Sequence, residues 1–94
     1  MATTVTIAQD ATREIDLGNS TGMSIAAPGA KASVHVDYQK PAGSGNYSSA
    51  IKGSAGYGNP FTVSAGGTKA VPKTDLESEH VRVGASDAGI TVTY

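Results

Sequence analysis

The chain has 94 residues, seven basic and eight acidic side chains for a net charge of −1, and neither cysteine nor tryptophan. This length fits one domain, near the lower end of what a single hydrophobic core stabilises alone. The balanced charge offers nucleic acid or an anionic membrane no attraction, the missing cysteines exclude disulfides and thiolate zinc sites, and no apolar run approaches the ~20 residues that span a bilayer.

Leu, Ile, Val and Phe number 16 of the 94 residues. So few would suggest disorder if the net charge were high, but it is not, and the apolar residues are strictly patterned. A folded domain with a thin Val/Ile core is expected, one whose stability draws on self-association or on docking to something larger. Met1-Ala2-Thr3-Thr4-Val5 has neither a basic nor an apolar signal region, so synthesis in a cytoplasm is expected.

In chain order, the apolar residues alternate at period two. Val5 and Ile7 come first, then Ile15 and Leu17, Met23 and Ile25, and the longer run Val34, Val36 and Tyr38. Phe61 and Val63 follow, then Val81, Val83 and Ala85, and last Ile90, Val92 and Tyr94. Residues two apart face the same side of a strand, so each set can line a core while Thr, Ser, Arg and His between them face out. Helical spacing is not sustained anywhere.

Turn chemistry separates the runs. Gly18 to Gly22 divides the second strand from the third, and Pro28-Gly29 suits a type II turn. Gly66-Gly67 predicts a tight hairpin, and Ser86-Asp87-Ala88-Gly89 another with glycine left-handed. The expected fold is a small all-β antiparallel sandwich of about seven to nine short strands with little or no helix, a single domain over residues 1–94.

Residues 40–60 break the rhythm. This Gly- and Tyr-rich loop region carries Tyr47, Tyr57 and Asn59, with room for a short strand from Tyr47 to Lys52. Tyrosine among small flexible residues suits an adaptable contact surface. The plainer reading is a loop whose tyrosines cap the edge of the core.

No catalytic apparatus emerges. His35 and His80 fall at outward strand positions between core valines. Without cysteine, a metal at either one requires carboxylates such as Asp37 or Glu79 to converge on it. Asp75-Leu76-Glu77-Ser78-Glu79 alternates acids but lacks the glycine and length of a calcium loop, and reads as a charged strand edge. There is no phosphate loop and no nucleophile elbow, and a sandwich this small offers little room for the enclosed cleft that carboxylate catalysis needs. A non-enzymatic protein is expected, with no cofactor and no metal.

Thr62-Val63-Ser64-Ala65-Gly66-Gly67-Thr68, Val71-Pro72, Glu79-His80-Val81-Arg82-Val83-Gly84-Ala85 and Gly89-Ile90-Thr91-Val92-Thr93-Tyr94 together resemble a pattern in small tailed-bacteriophage virion proteins. There a glycine-led hairpin precedes a Val-Arg-Val strand, a glycine turn and a last strand ending in tyrosine. The chain departs from that pattern in lacking a mid-strand tryptophan and in having Val71-Pro72-Lys73 where such proteins carry Gly-Pro-Tyr.

The resemblance implies a capsid decoration or cement protein. Such a protein would be a homotrimer located in the virion, made in the host cytoplasm and bound to the major capsid protein shell at capsomer junctions. The expected contacts lie in the N-terminal segment, at Thr3 and Val5, and in the loop, at Tyr47, Tyr57 and Asn59. The alternative is a tail, neck or fibre-associated module whose tyrosines stack on glycans.

Overall fold

Each alternating run becomes a strand that buries one side. The computed structural model describes residues 2–39, 43–48, 60–76 and 78–94. Within them the strands are β1 (Thr4–Ile7), β2 (Thr12–Asp16), β3 (Gly22–Ala26), β4 (Ala32–Gln39), β5 (Tyr47–Ser48), β6 (Phe61–Val63), β7 (Thr68–Pro72), β8 (His80–Ser86) and β9 (Ile90–Thr93). A 3-10 turn at Lys73–Asp75 follows β7.

The strands form two antiparallel sheets, one ordered β1-β9-β3-β7 and the other β2-β8-β4-β5, with β6 also pairing β4. The longest strand, β4, organises the second sheet. It pairs β8 along one side, while β6 and β5 share its other side, at Ala32–Val34 and Tyr38–Gln39 respectively. The expected β-sandwich is the observed fold.

Ile7, Met23, Ile25, Val71, Ile90 and Val92 of the four-stranded sheet meet Ile15, Val34, Val36, Tyr38, Val81 and Val83 of the five-stranded one. The largest fully buried side chains are all isoleucine or valine. Branching at Cβ suits both the pleat and a narrow inter-sheet space, so the same residues favour the strands and fill the core.

Several local expectations need correction. Gly66-Gly67 and Ser86 to Gly89 do make turns, but neither turn closes a hairpin. β6 and β8 belong to the five-stranded sheet, β7 and β9 to the four-stranded one, so each turn carries the chain across the core. In the second turn Asp87, not Gly89, is left-handed, with φ of 69°. Gly89 is required for space instead, because a Cβ there would lie 3.0 Å from the Ile7 carbonyl oxygen. Gly29 does not adopt the positive φ of a type II turn. The acidic stretch is not a strand edge either: it spans the 3-10 turn and a connection that buries Leu76 and Ser78. β7 itself went unpredicted, because Lys69 and Pro72 mask the alternation around its fully buried Val71.

Candidate functional site

The outward positions of β2, β8 and β4 fall in register across the five-stranded sheet. Strand pairing sets Glu14 opposite Arg82, and Arg82 opposite Asp37, so one row reads acid, base, acid across three strands. The neighbouring row toward one end contains Thr12, Gly84 and His35, and toward the other Asp16 faces His80. Opposite charges on adjacent strands stabilise such a face where like charges would open it.

Arg82 Nη2 donates to Asp37 Oδ2 at 3.2 Å. Asp37 is 5% exposed, so its charge is compensated at close range rather than by bulk water. Its second oxygen, Oδ1, makes no hydrogen bond and has His35 Nδ1 nearby at 3.3 Å.

Tyr47 lies over this row. It enters from β5, beside Gln39 of β4, and reaches across two strands to β2. Its hydroxyl donates to Glu14 Oε1 at 2.7 Å and accepts from Gln39 Nε2 at 3.1 Å. The Arg82 guanidinium stacks on its ring, 4.3 Å from the centroid, a cation–π contact. Gln39 is itself fixed, since its Oε1 accepts the Gly43 N–H at 2.7 Å and so ties the β4–β5 connection to the platform. The phenol's pKa is raised above the ordinary tyrosine value, first by its withdrawal from water and then by the Glu14 carboxylate that accepts its hydrogen bond.

Beside the platform, the missing side chain at Gly84 leaves a shallow open groove of about 330 Å³. Asp10, Thr12, Ser33, His35 and Ser86 line it with Gly84. A Cβ on Gly84 would approach the Thr12 methyl group to 3.0 Å.

At the other end of the face, Asp16, Glu79 and His80 place one ligand atom each within 4.8 Å of one another. These are the residues among those described that could hold a cation. The convergence a metal would need at His80 therefore occurs, through Glu79 and through Asp16. Lys73 already supplies positive charge there: its ammonium lies 3.9 Å from Glu79 Oε2 and donates to the Gly18 carbonyl oxygen.

Thr3 and Val5 stand elsewhere, at the β1 edge of the four-stranded sheet, so the structure does not bring them together with Tyr47. Tyr57 and Asn59 lie outside the described residues. Tyr47 does not cap the core edge; it is pinned across a polar outer face. Glu14 and Gln39 were not singled out from sequence, Asp37 was named only as a carboxylate that could converge on a histidine, and Arg82 only within the Val-Arg-Val strand. Their outward phase was legible in the alternation, whereas the register that aligns them was not.

No protein-family model matches the chain, no curated protein matches its sequence and no solved structure matches its fold.

Proposed function

We propose that the chain is a non-enzymatic structural protein of a tailed-phage particle, decorating and stabilising the capsid shell through the Tyr47–Arg82 face. The observation that carries this reading is the fixing of Tyr47 by Glu14, Gln39 and Arg82. Tyrosine and arginine dominate the energetics of protein contacts. A pair held in place before binding loses little side-chain freedom on docking. The rest of the face is a row of alternating acid and base beside a shallow open groove, which suits a broad protein surface better than a small ligand. The capsid enters through the resemblance of the β6–β9 sequence to small virion proteins, a stretch that supplies one inner strand to each sheet, β8 and β9.

The mechanism is linkage. A protein that binds the assembled shell and not its dissociated subunits raises shell stability by mass action. The glycan-stacking alternative is less favoured, because one face of the Tyr47 ring is already occupied by Arg82. Quantitative mass spectrometry of purified particles is the test. Copies on the scale of the capsomer sites are expected; a handful per particle, as for a tail or neck component, or none at all, would refute the reading.

A further inference from the structure

The strand β1 ends its sheet in an unusual way. Thr3 and Tyr94 exchange both backbone hydrogen bonds, at 2.6 and 2.8 Å. In an antiparallel ladder the bonded pairs alternate, so Val5 and Ile7 also bond toward β9. The N–H and C=O groups of Thr4 and Thr6 consequently point away from β9 along the open edge.

Natural sheets protect such edges with charge, proline, bulges or brevity. The other described edges follow that rule: β7 carries Lys69 and Pro72, β2 carries Arg13, Glu14 and Asp16, and β5 and β6 have two and three residues. By contrast, the stretch from Ala2 to Ile7 has no charge and no proline. Val5 is half-buried there, while its partner on β9, Val92, is fully buried.

The sequence of the strand points to what covers it. Facing β9, β1 meets its own residues in reverse: Thr4 pairs Thr93, Val5 pairs Val92, Thr6 pairs Thr91 and Ile7 pairs Ile90. Its outer triplet, Thr4-Val5-Thr6, is a palindrome, so an antiparallel copy would offer the same Thr–Thr and Val–Val matches again.

We infer that β1 pairs antiparallel with the β1 of a second copy about a two-fold axis at Val5, joining two four-stranded sheets into one of eight. This register places Thr4 opposite the partner's Thr6. Those are the residues whose N–H and C=O groups have no partner among the described residues, so the two reciprocal pairs make four backbone hydrogen bonds. Val5 meets the partner's Val5 between them and loses its remaining exposure. A one-residue slip would set the free groups of Thr4 against a position already bonded to β9, so it is disfavoured. The assembly is isologous, as two-fold dimers are. It differs from the trimer that the resemblance implied, and it holds whether or not the chain binds a capsid.

Two variants test the pairing. The chain has no cysteine, so Val5→Cys introduces a single thiol. At a position without cross-strand hydrogen bonds, Cα atoms about 4.5 Å apart lie within disulfide range. Mild oxidation is expected to convert this variant to a covalent dimer, whereas Thr12→Cys on β2 stays monomeric under the same conditions. Thr4→Pro removes an outward backbone donor without touching a backbone bond to β9, at the cost of the weak 3.4 Å hydroxyl contact with Thr93. By sedimentation equilibrium it is expected to weaken a wild-type dimer at least about tenfold, with the far-UV circular dichroism unchanged. A wild-type protein that is monomeric at all accessible concentrations, one that is trimeric, or a Val5→Cys variant that cross-links no faster than Thr12→Cys would each overturn the inference.

Discussion

Arg82 serves two neighbours at once: it compensates the buried Asp37 carboxylate and stacks on the Tyr47 ring. Arg82→Ala leaves Asp37 without its cation, and the expected loss is about 1–2 kcal/mol in urea unfolding, moderated by the partial exposure of the arginine. Adding Asp37→Asn to that variant should recover part of the loss, because the uncompensated charge is the larger cost. Arg82→Lys restores the charge without the planar stacking, so it should rescue stability better than it restores contact at the Tyr47 face.

Tyr47 makes a pH-dependent prediction. Its folded-state pKa lies above the unfolded one, raised by loss of solvation and then by Glu14. The stability it contributes is therefore complete below about pH 10 and lost as pH climbs through the folded value. An ultraviolet titration of wild type minus Tyr47→Phe should show a phenol ionising above the ordinary tyrosine value. A difference curve centred at or below that value would contradict the hydrogen bond to Glu14.

Where β3 pairs with β7, Gly22 faces Pro72 in the ladder and leaves no room for a side chain. A Cβ at Gly22 would lie 2.5 Å from the Val71 carbonyl oxygen and 2.9 Å from the Pro72 Cα. Both atoms are backbone and cannot swing aside. Gly22→Ala is expected to cost about 2 kcal/mol or more, read as a lower urea midpoint, with the loss falling first on β7 at the edge of the sheet.

Alternation placed β1, β2, β3, β4, β6, β8 and β9, and assigned Val34, Val36, Val81 and Val83 to the core, because period two is a property of each strand alone. It missed β7, where a charged residue and a proline protect an edge, since that protection consists of breaking the pattern. It also read the Gly66-Gly67 and Ser86–Gly89 turns as hairpins. A turn of that chemistry reverses the chain equally well within a sheet or between sheets, and the choice is settled by which strand buries against which. The charged face was half legible for the same reason. Glu14, Arg82 and Asp37 were visible as outward residues, but only the pairing of β2 with β8 and of β8 with β4 makes them one row.

For the whole molecule, a narrow Val/Ile core and a small chain leave little stability in reserve. Two surfaces stand apart from that core and from each other: the fixed Tyr47–Arg82 face on the five-stranded sheet, and the uncharged β1 edge on the four-stranded one. A protein that stiffens a shell needs one surface for the shell and gains avidity if a second joins copies together. Thermal rupture of particles assembled without this protein, measured before and after adding it back, decides whether it stabilises a shell. Rupture at a higher temperature, rising to saturation with added protein and abolished by Arg82→Glu, is the predicted result; an unchanged rupture temperature with no protein bound would contradict it.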